Sequence, residues 1–515
     1  MSIQSIFLAL SFILSLLFFL YGFNHYYLLH ASRRYRTPTL PELPQARPAV
    51  SVHLPIYNEK HVIRRLVAAC TSMAEAYGKE KVEILILDDS DDETILEVDQ
   101  VVAEYQAKHF QIKLLRRGNR EGYKAGALQA ALEHTEAEFI AIFDADFVPP
   151  SDFLLRSVPY FENDESLAIV QGRWTFLNKS YNLVTRAISH AIDVHFLIEQ
   201  PGRFAAGVFQ NFNGSAGVLR KKTISAAGGW QADTLAEDLD LSYRLQMLGY
   251  RIIYLRDLVC PCEIPPTVPS FKLQQGRWAC GSFRAAIKIL PGLLRDRNLS
   301  LKQRLQAFIH LTGYMIQPLI VFSFILGCLA ALWGVNALNP FQSISLVPTF
   351  YIALASSAAR TIFMQSLVMA ALTPFILLCT LAPFISLVST LKMQDLPLAG
   401  NLASLSVLVM MCFGMSLSMQ RGIGRAIWAN HPWEWIRTPK YAELQHKQDW
   451  RTSKYQIPFD SLWIWEAIFV LLGLWAIANA IQHENYAGLL FLVPFTLSYA
   501  FVLLFSTLQS STSKA

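Results

Sequence analysis

Charge is scarce in this 515-residue chain: 16% of residues are charged, against 53% that are hydrophobic. The scarcity is uneven. Residues 30–300 carry most of the acids and have a mixed globular composition, whereas 305–510 is dominated by long apolar runs. Neither an ordinary soluble enzyme nor a pure bundle of membrane helices has that division. The net charge of +5 makes no case for nucleic acid, and the basic residues cluster beside apolar runs, as cytoplasmic flanks do. Cysteine is sparse as well, with seven scattered along the chain. Cys260-Pro-Cys262 has no second pair at zinc-finger spacing, so buried thiols in a reducing compartment are expected. Two nucleotide signatures are missing. No G-x-G-x-x-G follows the first strand, which disfavours a dinucleotide-binding Rossmann domain, and no G-x-x-x-x-G-K-[ST] marks a P-loop. A transporter whose α/β domain only senses a nucleotide is disfavoured by that missing loop and by the few charges inside the apolar runs, Arg360 excepted.

The apolar run at residues 3–29 can cross a bilayer of about 30 Å. It lacks a basic start and a small-residue cleavage site, so it reads as a retained anchor and not a signal peptide. Arg33, Arg34 and Arg36 follow, placing the next domain in the cytoplasm. Thr37–Pro48, with prolines at 38, 41, 44 and 48, reads as a stiff linker. From Ala49 short β-branched runs (Val50–Leu54, Val82–Leu87, Ile112–Leu115, Phe139–Phe143, Leu167–Val170) alternate with helical stretches such as His61–Ala76 and Glu93–His109. That alternation predicts an α/β domain over 49–281 with a mostly parallel, doubly wound sheet. A basic amphipathic segment suited to a membrane surface is expected at 282–304. Apolar segments near 307–333, 345–359, 364–391 and 399–418 precede a polar break at 421–460 rich in Arg, Lys and Trp, and two more follow within 461–510. A cytoplasmic break requires an even number of crossings before it. Seven spans in all are expected, or five if 345–359 is interfacial and 399–418 lies flat.

In an open α/β sheet, function gathers at the carboxyl ends of the strands. The first strand ends in Pro55-Ile56-Tyr57-Asn58-Glu59, the second in Asp88-Asp89-Ser90, and a later one in Asp144-Ala145-Asp146, with Gly122-Tyr123-Lys124-Ala125-Gly126-Ala127 between them. Paired carboxylates can hold a divalent cation that neutralises a nucleotide diphosphate, and Lys124 can add a point charge to the same phosphates. Further on, Leu235–Trp278 opens with Glu237-Asp238 and closes with Gln274-Gln275-Gly276-Arg277-Trp278. A carboxylate there can take a proton from a sugar hydroxyl. Arg277 and Gln274 can hold a leaving diphosphate, and Trp278 offers a flat face to a sugar ring.

Asp88-Asp89, Asp144-x-Asp146, Glu237-Asp238 and Gln274-x-x-Arg277-Trp278 resemble, in order, the signatures of the processive membrane-integrated family-2 glycosyltransferases. That group includes cellulose synthases, hyaluronan synthases and plant cellulose-synthase-like mannan and glucan synthases. Phe212-Asn213-Gly214-Ser215-Ala216-Gly217 is similar to the acceptor-side loop of the plant mannan and xyloglucan-backbone synthases, as is Gln274–Gly281 (QQGRWACG). The resemblance implies a GT-A-type nucleotide-sugar-binding domain joined to a multi-span α-helical region. It implies a donor site of Tyr57, Glu59, Asp88, Asp89, Lys124, Asp144 and Arg277, with Tyr57 stacked on the base. Asp144 and Asp146 would serve Mg²⁺ or Mn²⁺, Asp238 would be the general base, and Trp278, Gln274, Glu237 and Asn213 would meet the acceptor. Trp435, Thr438 and Lys440 resemble a gating loop over the nucleotide. The expected enzyme is an inverting β-glycosyltransferase of a bacterial-type inner or plasma membrane, with its catalytic domain cytoplasmic. It would use UDP-glucose or GDP-mannose to elongate a glucan- or mannan-type polysaccharide and pass it outward through the helices. Transfer of one sugar to a lipid, as ceramide glucosyltransferases perform, is the alternative. The sequence departs from the family at Ala236, where Thr is usual. A cyclic-nucleotide-binding C-terminal domain is not expected.

Overall fold

The computed structural model describes residues 3–44, 46–162, 164–333, 378, 381–428, 438 and 457–510. The chain divides into two compact units. One comprises Leu28–Thr312 with Gly422–Ile457; the other comprises Met1–Tyr27, Gly313–Arg421 and Pro458–Ala515.

Among the described residues the first unit is built on seven strands: β1 (Val50–Ile56), β2 (Val82–Asp88), β3 (Gln111–Leu115), β4 (Phe139–Ile142), β5 (Leu167–Phe176), β6 (Gly217–Arg220) and β7 (Arg251–Cys262). Their order in the sheet is β3-β2-β1-β4-β6-β5-β7. β1 pairs in parallel with β2 and β4, β2 with β3, and β5 with β7, whereas β6 runs antiparallel to both of its neighbours. The mostly parallel sheet expected from the strand–helix alternation is therefore present with one reversed strand inserted. Because β6 is reversed, its first residue, Gly217, lies opposite Ile142 at the carboxyl end of β4. The preceding loop, 212–216, is thereby brought to the edge where the other strands end.

Both faces of the sheet are covered at its centre, which is why β1, β2 and β4 are mostly apolar instead of alternating. Val50, Val52, Leu54 and Ile56 pack in one buried cluster with Ile84, Ile86, Phe139 and Val218. Leu85, Leu87, Ile140, Ile142 and Leu219 pack in another. His53 interrupts this pattern: it is fully buried and neither ring nitrogen has a hydrogen-bond partner among the described residues. Burial pushes its pKa down to about 3. Cys260 and Cys262 are buried in β7, within the first cluster.

After β7, Thr267 caps the helix Val268–Arg295, accepting a hydrogen bond from Ser270 N–H. This helix carries Gln274, Arg277 and Trp278 and continues through the first half of the stretch expected as a separate interfacial segment. That segment is not one amphipathic element. The helix stops at Asp296, and Ser300 with Gln303 forms a capping box that starts a second helix, Leu301–Leu311.

Among the described residues four helices are long and apolar enough to cross a membrane: Ala9–Ser32, Gly313–Leu332, Trp463–Gln482 and Gly488–Gln509. A bent pair, Leu398–Gly414 and Ser416–Trp428, meets at 40° and makes a fifth if counted as one span. The run expected at 399–418 is thus broken at Met415, and its helix carries on to Trp428, beyond the expected start of the polar break. The expected segment 345–359 and most of 364–391 lie outside the described residues; Leu381–Met393 is a shorter apolar helix. Packing within the second unit uses close approach at small residues, as membrane helices do. A Cβ on Gly414 would meet Ser498 O at 2.3 Å. Phe324 lies among Phe469, Phe495 and Tyr499.

Candidate active site

Lys124 lies at the centre of the carboxyl-edge cluster. It follows Gly122, whose left-handed backbone (φ 69°) opens the helix Tyr123–Glu133. Its ammonium is 2.7 Å from Asp144 Oδ1 and 3.6 Å from Glu237 Oε1, and it donates to Gly214 O at 2.9 Å. Burial works against its charge, yet Asp144, Glu237 and Asp238 together hold its pKa above the ordinary lysine value. The other groups converge because the backbone is pinned. Asp144 N–H donates to Ser215 Oγ, and Ala216 N–H donates to Ile142 O. Gln171 is fully buried and fixes the 212–216 loop at both ends, accepting from Asn213 N–H and donating to Ser215 O and Ala216 O. Gly214 (φ 78°) must be glycine: a Cβ there would lie 3.0 Å from Asp238 Oδ2 and 3.2 Å from Lys124 Nζ.

Asp238 belongs to the first turn of the helix Glu237–Met247, where Glu237, Asp238 and Asp240 all face the positive end of the helix dipole. Its Oδ1 accepts from Leu239 N–H at 2.8 Å. Burial, reinforced by the neighbouring Glu237 charge, raises its pKa to about 7 against the opposing pull of Lys124. A carboxylate titrating near neutrality is suited to taking a proton from a hydroxyl.

Arg277 comes from the helix Val268–Arg295. Burial lowers its pKa to about 10, partly offset by Glu237 and Asp144, so it is a cation at neutral pH. It donates to Thr438 Oγ1 at 3.2 Å. Gln274 Oε1 is buried without a hydrogen-bond partner among the described residues, and Trp278 is half-buried. This helix is held against the start of the Asp238 helix at Gly281. A Cβ at 281 would meet Ala236 N and Leu235 C at 2.8 Å, and Thr234 donates to Gly281 O at 2.9 Å. Ala236 itself supplies no side-chain cap.

Asp144 and Asp146 sit on a turn after β4, but their environments differ. The Asp144 side chain is one-third exposed. Asp146 is buried, with Oδ2 accepting from Glu263 N–H at 3.1 Å and its carbonyl taking a bond from Arg65, which pairs with Glu263 at 2.7 Å. No group of three or more His, Cys, Asp or Glu that could hold a metal ion occurs among the described residues.

The other residues expected on the donor side form a second group. Asp88 is buried and paired with Arg116 at 2.8 Å, and its Oδ1 accepts from Ser90 N–H. Asp89 is gripped at both oxygens by Arg117. Tyr57 donates to Asp91, and the Arg120 guanidinium lies 3.4 Å over its ring centre. A face expected to stack on a nucleotide base thus carries a cation. Glu59 is buried, and its carbonyl accepts from Val62 and Ile63 N–H at the start of the helix Ile63–Tyr77. Sequence reasoning missed Arg116, Arg117 and Arg120. Their signal was a basic cluster directly after β3, on the edge where the acids collect. Trp435 and Lys440 lie outside the described residues.

Residues 51–214 match the description of glycosyl transferase family 2, and residues 139–509 match glycosyl transferase family group 2. The chain is 35% identical over 311 residues to Probable glucomannan 4-beta-mannosyltransferase 10 of Arabidopsis thaliana, covering 59% of this chain and 55% of that protein. It is 34% identical over 303 residues to Glucomannan 4-beta-mannosyltransferase 1 of Oryza sativa subsp. japonica, covering 57% and 58%. The chain therefore spans little more than half the length of these relatives. Among solved structures, the mannosyltransferase PcManGT from Pyrobaculum calidifontis, determined with GDP-Man and Mn²⁺, shares the fold at a TM-score of 0.50 and 19% identity, over 82% of this chain and 100% of that one. The second family match takes in the Lys124-facing acids, the Gln274–Trp278 helix and three of the four long apolar helices, and the chain belongs to glycosyl transferase family group 2.

Proposed function

We propose that the chain is an inverting β-glycosyltransferase that moves a hexosyl unit from a nucleotide-sugar to a hydroxyl of a glucan- or mannan-type polysaccharide. The observation that carries this reading is the Lys124 cluster: a carboxylate titrating near neutrality, Asp238, lies with Lys124 beside Gly214, and that cation is held by Asp144 and Glu237. In the reaction Asp238 takes the acceptor hydroxyl proton. The oxygen attacks the anomeric carbon, and the bond from that carbon to the diphosphate breaks as the new one forms. The diphosphate leaves with the electron pair, beside Lys124 and Arg277. The names of the plant relatives favour a mannosyl donor, GDP-mannose, over UDP-glucose.

The donor set fits a divalent cation. Mg²⁺ and Mn²⁺ in such sites are held by one or two carboxylates plus substrate phosphates, so a three-ligand protein cluster is not required. Asp144 is the accessible carboxylate and would be the main ligand, with Asp146 braced behind it by Glu263. Lys124 and Arg277 are already offset by Asp144, Glu237 and Asp238, so the charge of a diphosphate calls for a further cation. When bound, the ion would neutralise the departing phosphates.

The four apolar helices and the Arg33, Arg34 and Arg36 flank support an integral protein of a bacterial-type inner or plasma membrane with the sheet unit in the cytoplasm. The test is to give the protein, purified in detergent, radiolabelled GDP-mannose, UDP-glucose and other nucleotide-sugars with Mg²⁺ or Mn²⁺. A polymer degraded by β-mannanase or β-glucanase is the expected product. A single labelled glycolipid would replace the polymer reading with lipid glycosylation, and no transfer from any donor would end both.

A further inference from the structure

The loop that carries Asn213 is fixed on its far side by residues that neither the motifs nor the proposed reaction use. His195 lies in a single π-helical turn, His195–Glu199, between the helices Leu183–Val194 and Gln200–Ala206. Such turns are rare and concentrate at functional sites. One imidazole nitrogen, Nδ1, is 3.0 Å from Glu199 Oε2, and the other, Nε2, is 2.9 Å from Asn213 Oδ1. Asn211 Nδ2 donates to the same Asn213 oxygen at 2.8 Å. Both ring nitrogens therefore face oxygens, Nε2 that of Asn213 and Nδ1 that of Glu199. With its oxygen held from two directions, the Asn213 carboxamide cannot rotate. Its Nδ2 is left buried with no hydrogen-bond partner among the described residues. Leaving a buried amide donor unpaired is unfavourable, so the orphaned Nδ2 marks a place where a further acceptor is called for. The neighbouring residue, Gly214, lies against Asp238 and Lys124, so the unpaired donor is on the loop that borders the base. Gln200 continues the brace by donating to Asn211 O at 2.7 Å, and its own Oε1 is buried with no hydrogen-bond partner among the described residues.

We propose that His195, braced by Glu199, is a positioning residue that aims the Asn213 carboxamide at the acceptor hydroxyl. This rests on the glycosyl-transfer reading above. The geometry makes two demands: the effect must run through Asn213, and it must fall on acceptor use and not on donor binding, since Arg116, Arg117, Arg120 and Lys124 lie on other elements.

The experiment uses the full chain in detergent with GDP-mannose as donor and β-1,4-mannohexaose as acceptor, taking UDP-glucose and cellohexaose if that pair proves active. His195→Ala is expected to raise the acceptor KM roughly three- to ten-fold, the worth of one hydrogen bond, while the donor KM and the slow hydrolysis of donor by water stay within two-fold. His195→Gln, which retains an N–H of similar reach, should recover part of the loss. In a double-mutant cycle with Asn213→Ala, the second substitution should add little to the first, because both remove the same aimed donor. Thermal unfolding of each variant separates misfolding from misplacement, and the Gln variant carries the test if Ala unfolds. Additive losses, a parallel rise in donor KM, or an unchanged acceptor KM would each overturn the positioning role while leaving glycosyl transfer standing. An unmodified chain that transfers no sugar from any donor would sink both.

Discussion

Asp238 and Lys124 illustrate how burial and charge set one residue's chemistry through another. Asp238→Asn keeps the side-chain volume and removes the basic lone pair. Turnover should fall by at least the ~10²–10⁴-fold typical of a general base, with donor affinity little changed because Lys124 and Arg277, the proposed diphosphate contacts, are left in place. In the unmodified enzyme kcat should rise with pH and level off above about 7 as Asp238 deprotonates. The same shift makes a stability statement. Asp238 is ionised above about 3.9 when unfolded but only above about 7 when folded. Its charge therefore costs folding free energy that accumulates as pH rises through that window and persists above it. Asp238→Asn should accordingly raise the unfolding temperature at pH 8 while abolishing activity. A variant that loses stability and donor binding together would assign Asp238 to structure. His53 has the opposite sign. It stays neutral in the fold down to about pH 3 but takes a proton near pH 6.5 when unfolded. Stability should be fully present above pH 6.5 and fall by about 1.4 kcal/mol per unit as pH drops toward 3. His53→Gln should flatten that slope when hydrogen exchange in β1 is followed against pH.

Among the elements, the helix Val268–Arg295 matters most to the site, because it alone carries Gln274, Arg277 and Trp278. Its registration against Glu237–Met247 depends on one missing Cβ, at Gly281. Gly281→Val would drive methyl groups into the backbone at Leu235 and Ala236. It should cost on the order of 1–3 kcal/mol as overpacking and shift Arg277 relative to Asp238, lowering kcat more than thermal stability would suggest. Gly292→Ala, on the same helix, meets nothing nearer than Met247 Cε at 3.7 Å. It should instead stabilise by roughly 0.5–1 kcal/mol, the ordinary helical gain over glycine. Equal effects at the two positions, read from paired melts and kcat values, would remove the special role of Gly281.

For the molecule as a whole, the composition divides as the chain does: a globular sheet unit and an apolar helical one, each compact by itself. Chelation tests the first. Activity should vanish in EDTA and return with Mg²⁺ or Mn²⁺, and Asp144→Ala should match the chelated enzyme more closely than Asp146→Ala, since Asp144 is the exposed carboxylate of the pair. Full turnover in EDTA would take the metal out of the reaction. Topology tests the second. A single cysteine at position 440 should be labelled only from the cytoplasmic side of sealed vesicles. Labelling from outside would require an odd number of crossings between Thr312 and position 440.

Local order was legible in the residues themselves. β-branched runs at helix-length spacing yield a parallel sheet because only crossover connections can join parallel neighbours, and acids at strand ends announce the edge where chemistry gathers. An unbroken apolar run announces a helix able to span a bilayer, because its backbone must satisfy its own hydrogen bonds there. Tertiary structure alone decided how distant polar groups were paired. The reversal of β6 brings the Asn213 loop to the edge occupied by Asp144, and nothing in Gly217–Arg220 marks that reversal. The grip of Arg116 and Arg117 on Asp88 and Asp89, the burial of Asp146 behind Glu263, and the reach of His195 to Asn213 are contacts between separate elements. Each depends on which side chains arrive at the same point and how much water is left there, and periodicity along a chain records neither.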